Sequence, residues 1–262
     1  MSRLRPALLR PALALLAAAS AALPALALQP LVTDDTGTQG AGGQQLELSW
    51  SRGRLHTGAG RTAVHTLAPT YTYGLAEALD AYASLPYQSL RGDGSRARGW
   101  GNAVLGAKWR FCESPARRTS LALKPELLLP VSPAREAAGL GAGKVSAQLT
   151  AILSQEMPFG ALHANLGWGR ERSHNAADQA TLRRVSIAPV WSLSSTFQLV
   201  ADLGLESRQA DGNGVRTHFV ELGAIYSPGP DLDFAVGALR TQDNAAPRSQ
   251  GTTLTAGVTW RF

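Results

Sequence analysis

The sequence predicts an all-β protein, a transmembrane antiparallel up-and-down β-barrel of about 12 strands. From residue 43 onward, successive stretches of about ten residues alternate apolar and polar side chains, which is the period of a β-strand. The apolar faces of the clearest stretches carry no charged residue, as expected where those faces meet lipid. A mean hydropathy of -0.07 excludes a bundle of membrane-spanning helices, and 17% charged residues are too few for a disordered chain.

The strands follow from this alternation, taken in order along the chain. It is clearest at every second position of residues 103–111, 145–153, 197–205 and 254–262. Turn residues separate the stretches, since the chain holds 27 Gly and 15 Pro. We expect strands near residues 43–54, 61–73, 78–88, 99–111, 119–131, 144–155, 160–172, 181–192, 196–207, 215–227, 232–241 and 250–262.

The connections between these strands fall into two classes. Five are short, at residues 74–77, 112–118, 156–159, 193–195 and 228–231. The other six tend to be longer and Gly-rich, and examples are residues 89–98, 132–143 and 208–214. Short turns on one side, longer loops on the other and an even strand count predict an outer-membrane barrel with both termini in the periplasm.

The first residues predict export. Arg3, Arg5 and Arg10 precede an apolar run that ends in the small-residue pattern Ala25-Leu26-Ala27, as in a secretory signal peptide. We therefore expect cleavage after Ala27 rather than a retained membrane anchor. The predicted organisation is a signal peptide at residues 1–27, a periplasmic or lumenal segment at 28–42 and the barrel at 43–262.

Charge and cysteine content narrow the function further. Loss of the leader lowers the formal net charge from +6 to +3, because the leader holds three Arg and no acidic residue. The remaining basic residues are scattered, so no nucleic-acid partner is expected. Cys112 is the single cysteine, so no intramolecular disulfide can form.

Aromatic residues cluster near the predicted strand ends. Amphipathic rings favour the headgroup regions of a bilayer, so sorting by strand end predicts two aromatic girdles. Trp50, Trp100 and Trp168 lie toward the ends that carry the longer loops. The denser girdle, beside the short turns and the C-terminus, is predicted to include Tyr73, Trp109, Trp191, Tyr226, Trp260 and Phe262.

If the apolar faces meet lipid, the opposite faces line a polar lumen. Two interpretations of its charges stay open: a transverse electric field across a narrow pore, or a salt-bridge network that fills the barrel. Asp34 and Asp35 precede the first strand, and a solvated turn is the simplest interpretation of this pair. The pore-lining candidates are Glu47, Lys108, Arg110, Lys124, Glu126, Asp202, Glu206, Glu221 and Asp233.

Several segments carry a family resemblance. Residues 30–39 (PLVTDDTGTQ), 73–80 (YGLAEALD), 106–111 (GAKWRF) and 121–126 (LALKPE) resemble an outer-membrane family described as putative meta-pathway phenol-degradation proteins. The resemblance extends over the mature chain, but its motifs belong to the framework. It implies a transporter-like barrel with phenolic compounds as the suggested cargo. The chain ends in Phe262 after alternating apolar residues, and this ending resembles the signal that the barrel assembly machinery recognises.

The predicted function is a channel or transporter for passive passage of small molecules, with aromatic or phenolic compounds as candidates. The alternative is a closed structural or ligand-binding barrel whose exterior loops carry the function. An enzyme is not expected, because Ser173-His174 lies in a predicted loop and no nucleophile elbow, metal cluster or phosphate loop is present. No cofactor or metal is predicted. The expected partners are outer-membrane lipids, lipopolysaccharide, the assembly machinery and an unknown solute.

Overall fold

The computed structural model describes residues 29–58, 60–92, 94–210 and 213–262, so the predicted signal peptide lies outside the described residues. Nearly all regular structure in these ranges is β-strand. The strands are β1 (Gln44–Thr57), β2 (Gly60–Ala76), β3 (Leu79–Ser84), β4 (Tyr87–Gly92), β5 (Ser95–Trp100), β6 (Val104–Ser114), β7 (Thr119–Leu128), β8 (Ser146–Met157), β9 (Gly160–Glu171), β10 (Ala180–Ser192), β11 (Phe197–Ala210), β12 (Asn213–Gly229), β13 (Leu232–Asp243) and β14 (Gln250–Arg261).

The sheet closes on itself because β1 pairs antiparallel with both β14 and β2. β3 and β4 both pair with β2, at its two halves, so together they form one barrel strand. β5 and β6 likewise form one barrel strand, since β4 pairs with β5 and β3 with β6. The predicted closed antiparallel barrel of 12 strands is confirmed. The break between β3 and β4 contains Pro86, which has no N–H to donate to a ladder.

The two ends of the barrel differ in their connections. At the short-turn end, two to four residues join β2 to β3, β6 to β7, β8 to β9, β10 to β11 and β12 to β13. Both barrel termini lie there too, because the Gln44 amide donates to the Phe262 carbonyl at 3.1 Å and the Phe262 amide to the Gln44 carbonyl at 2.9 Å. The opposite, loop end carries longer connections at residues 129–145, 172–179 and 244–249.

Two predicted loops at the loop end are wrong. Residues 89–98 and 208–214 were expected to be longer loops, yet β4 continues to Gly92, β5 begins at Ser95, β11 continues to Ala210 and β12 begins at Asn213. The outward-facing positions of these extensions are polar and include Arg91, Arg96 and Arg98, while Leu90 and Ala97 pack on the inner face, so the outward apolar alternation stops before the ladder does. Backbone pairing continues because it requires only N–H and C=O partners.

The two faces of the barrel wall have opposite polarity. Leu222 is 64% exposed on the outside, while its neighbour Glu221 is 1% exposed inside. Leu203 and Asp202 show the same contrast, at 48% and 0%. An apolar exterior around a polar interior is the arrangement of a barrel whose outer solvent is lipid.

Helical structure in the described residues is limited to the loop end. A short helix, α1 (Pro133–Ala137), lies in the connection 129–145, and a single 3₁₀ turn covers Ala176–Asp178. None of the helices in the described part of the chain is long and apolar enough to cross a membrane.

Candidate functional site: the occupied lumen

Residues 29–43, here called the lumen segment, lie inside the barrel. The Thr33 amide donates to Asp202 Oδ2 at 2.6 Å, and Thr33 Oγ1 donates to Asp202 Oδ1 at 2.7 Å. Further along, the Thr36 amide donates to Ser154 Oγ at 3.0 Å. These bonds attach the segment to β11 and β8, strands on different sides of the barrel. The segment therefore crosses the lumen.

Asp34 forms the centre of this attachment. Its two carboxylate oxygens accept hydrogen bonds from Lys108 Nζ on β6 and Lys124 Nζ on β7, both at 2.8 Å. Asp34 is 3% exposed, so the expected solvated turn is not found. Two lysines desolvated inside a barrel require a counter-charge, and Asp34 supplies it to both. The pattern Thr-Asp-Asp ahead of the first strand was the signal for this site, but its partners lie far away in sequence.

Glycines give the lumen segment its path. Gly40 and Gly42 have φ of +77° and +81°, which non-Gly residues rarely adopt, and they turn the chain from the lumen into β1. At the other end, Pro30 packs where a side chain on Gly223 or Gly237 would otherwise stand, with Pro30 atoms 2.5 and 2.8 Å from the two virtual β-carbon positions. The inner wall of β12 and β13 thus has a groove shaped for the start of the segment.

The segment separates two cavities. One, of about 200 Å³, lies toward the loop end and is lined by Leu31 and Val32 of the segment and by Gln88, Leu128 and Leu239 of the wall, among others. The other, of about 300 Å³, lies toward the short-turn end, and its walls include Gln39, Glu47, Thr72, Asp80 and Arg261. Asp34 lines both cavities, so the lumen is divided at its ion pairs.

The structure places the pore-lining candidates as follows. Glu47, Lys108, Lys124, Glu126, Asp202 and Glu221 are buried on the inner wall. Glu206 forms an ion pair with Arg184 at 2.5 Å, and Asp233 forms one with Arg261 at 2.6 Å. Arg110 lies near the short-turn end, where it pairs with Glu113 at 3.4 Å. Six of these nine candidates thus take part in ion pairs, whereas Glu47, Asp202 and Glu221 form none among the described residues, so both interpretations of the lumen charges stay open.

Sequence reasoning missed Tyr82 and Arg184 as lumen residues. Tyr82 Oη donates to Glu126 Oε1 at 2.8 Å, and Lys124 Nζ lies 5.4 Å from the centre of the Tyr82 ring. Tyr82 lies in a predicted strand and carries no charge that would mark it. The counter-charge of Arg184 is Glu206, which lies on the next strand. Both contacts depend on which residues stand opposite each other on neighbouring strands, and the pattern within a single strand does not show this.

The predicted girdle residues lie on the exterior. Tyr73, Trp109 and Trp260 are between 41% and 52% exposed near the short-turn end. Trp191, Tyr226 and Phe262 lie near the same end, and the rings of Trp260 and Phe262 are 4.6 Å apart. Trp50, Trp100 and Trp168 are also exposed. Trp168 lies near the loop end of β9, whereas Trp50 lies at the middle of β1, so the second girdle stays a prediction.

The connection 129–145 folds into the barrel mouth. Leu140 is 3% exposed and packs with Val64 and Leu90 on the inner wall. Asn102 fixes the same connection, donating from Nδ2 to the carbonyls of Leu129 at 2.6 Å and Ala142 at 2.8 Å. The loop end is therefore partly covered by this connection.

Glu136 joins the connection 129–145 to the connection 172–179. Its carboxylate accepts hydrogen bonds from Ser173 Oγ at 2.6 Å, the His174 amide at 3.0 Å and the Gly143 amide at 2.9 Å, and it lies 2.7 Å from His174 Nδ1. Burial raises the pKa of Glu136, but these hydrogen bonds outweigh it and lower the pKa to about 2. Ser173 and His174, the neighbouring pair in the predicted loop, both bind this carboxylate.

Glu136→Gln should loosen the loop end in a pH-dependent way. A carboxyl whose pKa is depressed on folding stabilises the fold above its unfolded pKa of 4.5 and ceases to do so as the pH falls through about 2. We expect the thermal stability of the two proteins to differ at pH 6, to converge below pH 4.5 and to become equal near pH 2. Glu113→Gln, at an exposed carboxyl, is the control. A difference that does not change with pH would contradict the assignment.

Sequence comparison agrees with this geometry. The model of the family described as "Putative MetA-pathway of phenol degradation" matches residues 29–262, which includes the lumen segment and the whole barrel. The chain belongs to this family. The resemblance identified from the framework motifs is thereby confirmed. No curated protein sequence matches the chain.

This chain shares its fold with solved outer-membrane barrels. An outer membrane channel from Pseudomonas putida F1 is similar with a TM-score of 0.67 and 13% identity, over 87% of this chain and 98% of that chain. The translocator domain of the autotransporter NalP from Neisseria meningitidis is similar with a TM-score of 0.55 and 16% identity, over 87% and 91%. The NanC porin is similar with a TM-score of 0.54 and 10% identity, over 81% of this chain and 98% of that chain. These similarities establish the outer-membrane barrel fold.

Proposed function

We propose that this protein is an outer-membrane channel for the passive passage of small molecules, exported through cleavage of residues 1–27. One observation carries the proposal: a closed barrel with an apolar exterior encloses a polar lumen that contains two cavities and one crossing segment. A barrel built only for stability would fill its interior with side chains. The short-turn end, with both termini, would face the periplasm, as in barrels with this division of turns and loops.

The lumen segment is proposed to set the size limit of the channel. It lies between the two cavities and is held by side chains from at least four strands, including Asp202, Lys108, Lys124 and Ser154. Solutes that pass must move around the segment or displace it. Small molecules are therefore expected, and the family description suggests phenolic compounds among them.

The partners proposed for the exterior follow from its surface. Lipid contacts the apolar belt, and Arg91, Arg96 and Arg98 near the loop end are candidates for lipopolysaccharide. Phe262 ends the last strand and is proposed to present the signal for the assembly machinery. The similar solved structures include channels and porins, which supports a channel rather than an enzyme.

Deletion of residues 28–42 tests the proposal directly. We expect the chain 43–262 to show a severalfold higher single-channel conductance than the mature chain in a planar bilayer, because the segment no longer crosses the lumen. Circular dichroism of the refolded proteins serves as the control for intact barrel. Equal conductance would exclude the segment as the size limit. Absence of current from both proteins would favour the second candidate, a closed barrel, which the many ion pairs in the lumen support.

A further inference from the structure

One sector of the outer wall, toward the loop end, is strongly basic. It lies on the outer face of β1, β2, β4 and β5, and the outward positions of these strands carry no acidic side chain. Asp93, in the turn between β4 and β5, lies outside the described residues. The exposed residues Arg52, Arg54, Arg91, Arg96 and Arg98, here called the arginine patch, form no ion pair with any residue that the structure describes.

Strand pairing arranges the arginine patch in two adjacent rows across the wall. Neighbouring strands are about 4.8 Å apart, and positions two residues apart along a strand are separated by about 6.6 Å. Four strands and two rows therefore cover an area about 14 Å wide and 7 Å high. In strand order, the first row is Arg52, His65, Ser89 and Arg98, and the second row is Arg54, Ala63, Arg91 and Arg96.

Two arginines of the second row face each other directly. Arg91 on β4 and Arg96 on β5 are opposite partners in the ladder, and both side chains are exposed on the outer face. Like charges directly opposite each other destabilise an antiparallel pair. An anion between the two guanidinium groups would remove this repulsion. The pairing therefore makes this position a place where a bound anion stabilises the wall.

The side-chain type indicates which anion fits. All members of the arginine patch are arginines, and β1, β2, β4 and β5 contain no lysine. A guanidinium group presents parallel N–H donors that match two oxygens of one phosphate, whereas an ammonium group acts as a point charge. Several guanidinium groups within about 14 Å thus favour a ligand with phosphate groups over diffuse attraction of anions.

An apolar row borders the arginine patch on the side away from the loop end. It is the next row of the same ladder and consists of Trp50, Leu67, Tyr87 and Trp100. The rings of Tyr87 and Trp100 are 5.1 Å apart in an edge-on arrangement, and the Trp50 ring lies 6.4 Å from that of His65. Aromatic rings beside basic side chains are typical of the boundary between hydrocarbon and headgroups. A lipid here would place its phosphates on the arginines and its acyl chains below them.

We propose that the arginine patch binds the phosphate groups of a glycolipid in the outer leaflet of the outer membrane. The inference rests on the proposed orientation, in which the loop end faces the cell exterior. It extends the suggested lipopolysaccharide contacts of Arg91, Arg96 and Arg98 to one defined site that includes Arg52 and Arg54. A soluble phosphate compound would not use the apolar row, whereas a lipid uses both rows of arginines and the row below them.

Titration with lipid A tests the site without any current measurement. The mature chain is purified from membranes, washed free of lipid in detergent and titrated with diphosphoryl lipid A, while native mass spectrometry counts the bound molecules. We expect one molecule to bind before any other. The combined substitution of Arg54→Gln and Arg96→Gln should weaken this binding at least about tenfold, because two charge-assisted contacts with phosphate are lost.

The combined substitution of Arg183→Gln and Arg216→Gln is the matched control. Both arginines are exposed on the outer face, but each stands opposite Ser207 of the strand between them, so they do not face each other. We expect this control to leave the affinity for lipid A nearly unchanged. Equal losses in the two double variants would overturn the inference. Equally tight binding of phosphatidylglycerol would overturn it as well, because any anionic lipid would then suffice.

Arg96→Gln alone provides a second readout. Without lipid A, the substitution removes the repulsion between Arg91 and Arg96, so we expect an unchanged or higher melting temperature. With lipid A in excess, the wild-type chain should gain more in melting temperature than the variant, because tighter binding stabilises the folded state more. The same decrease under both conditions would indicate damage to the strand and contradict the site. Neither readout depends on conduction, so failure of this site and failure of the proposed channel are distinguishable.

Discussion

Asp34→Asn should release the lumen segment and raise the conductance severalfold. The substitution removes the charge that Lys108 and Lys124 share at 2.8 Å each, and leaves two ammonium groups close together in the barrel. Removing one member of a buried ion pair costs about 3 to 5 kcal/mol. This cost is larger than the stabilisation that any single remaining hydrogen bond of the segment contributes. Water must enter to solvate the lysines, and the segment must move to admit it.

Asp35→Asn is the matched control, because Asp35 is the adjacent carboxylate but lies 3.9 Å from Lys108 and is more exposed. We expect it to change the urea unfolding free energy in micelles by about 1 kcal/mol or less, as for a weak exposed pair. Replacing both lysines with Gln in the Asp34→Asn chain should recover part of the stability, since the two buried ammonium groups are then absent, while Glu126 loses its ion pair with Lys124 at 3.9 Å. Equal effects of the two Asn substitutions would refute the central role of Asp34.

Leu222→Arg should impair insertion of the barrel more than any other single exterior change considered. Leu222 lies at the middle of β12 and is 64% exposed on the outer face. An Arg at the bilayer midplane of such a barrel costs about 2 to 4 kcal/mol, because lipid cannot solvate the guanidinium group. Urea titration of the folded fraction in lipid vesicles measures this cost.

Leu193→Arg is the corresponding control. Leu193 is similarly exposed, at 61%, but lies in the turn after β10, where the predicted cost falls to about 0 to 1 kcal/mol. Because both substitutions replace Leu with Arg, the difference between their free-energy costs reports the depth of each position in the bilayer. If both cost the same, the middle of β12 does not lie in the hydrocarbon layer, and the assignment of the apolar belt would be wrong.

The barrel architecture could be predicted because its determinants are local. In a stretch such as 197–205, every second residue is apolar, and the pleat of a strand alone sends those residues to one face. The absence of charge on that face then identifies the solvent as lipid. Where the apolar alternation stops but the ladder continues, as at residues 89–98 and 208–214, the same reasoning placed strand ends too early.

The candidate site could be predicted only in part. Alternation assigns Lys108, Lys124 and Glu221 to the lumen, because each lies between outward-facing apolar neighbours. It does not tell which of these charges meet. Asp34 contacts lysines 74 and 90 residues away, and Thr33 contacts Asp202 over a separation of 169 residues. These residues, far apart in the sequence, are in contact only in the closed barrel.

By itself, the sequence determined the inside and the outside of the wall, the approximate number of strands and the division into short turns and longer connections. Each of these depends on a repeat of two residues or on turn chemistry within a few positions. Only the tertiary structure decided that residues 29–43 occupy the lumen and that Asp34 neutralises two buried lysines. A polar, Gly-rich segment is equally compatible with water and with a polar lumen. Closure of the barrel favours the lumen over water for this segment, because it creates buried lysines that require a counter-charge.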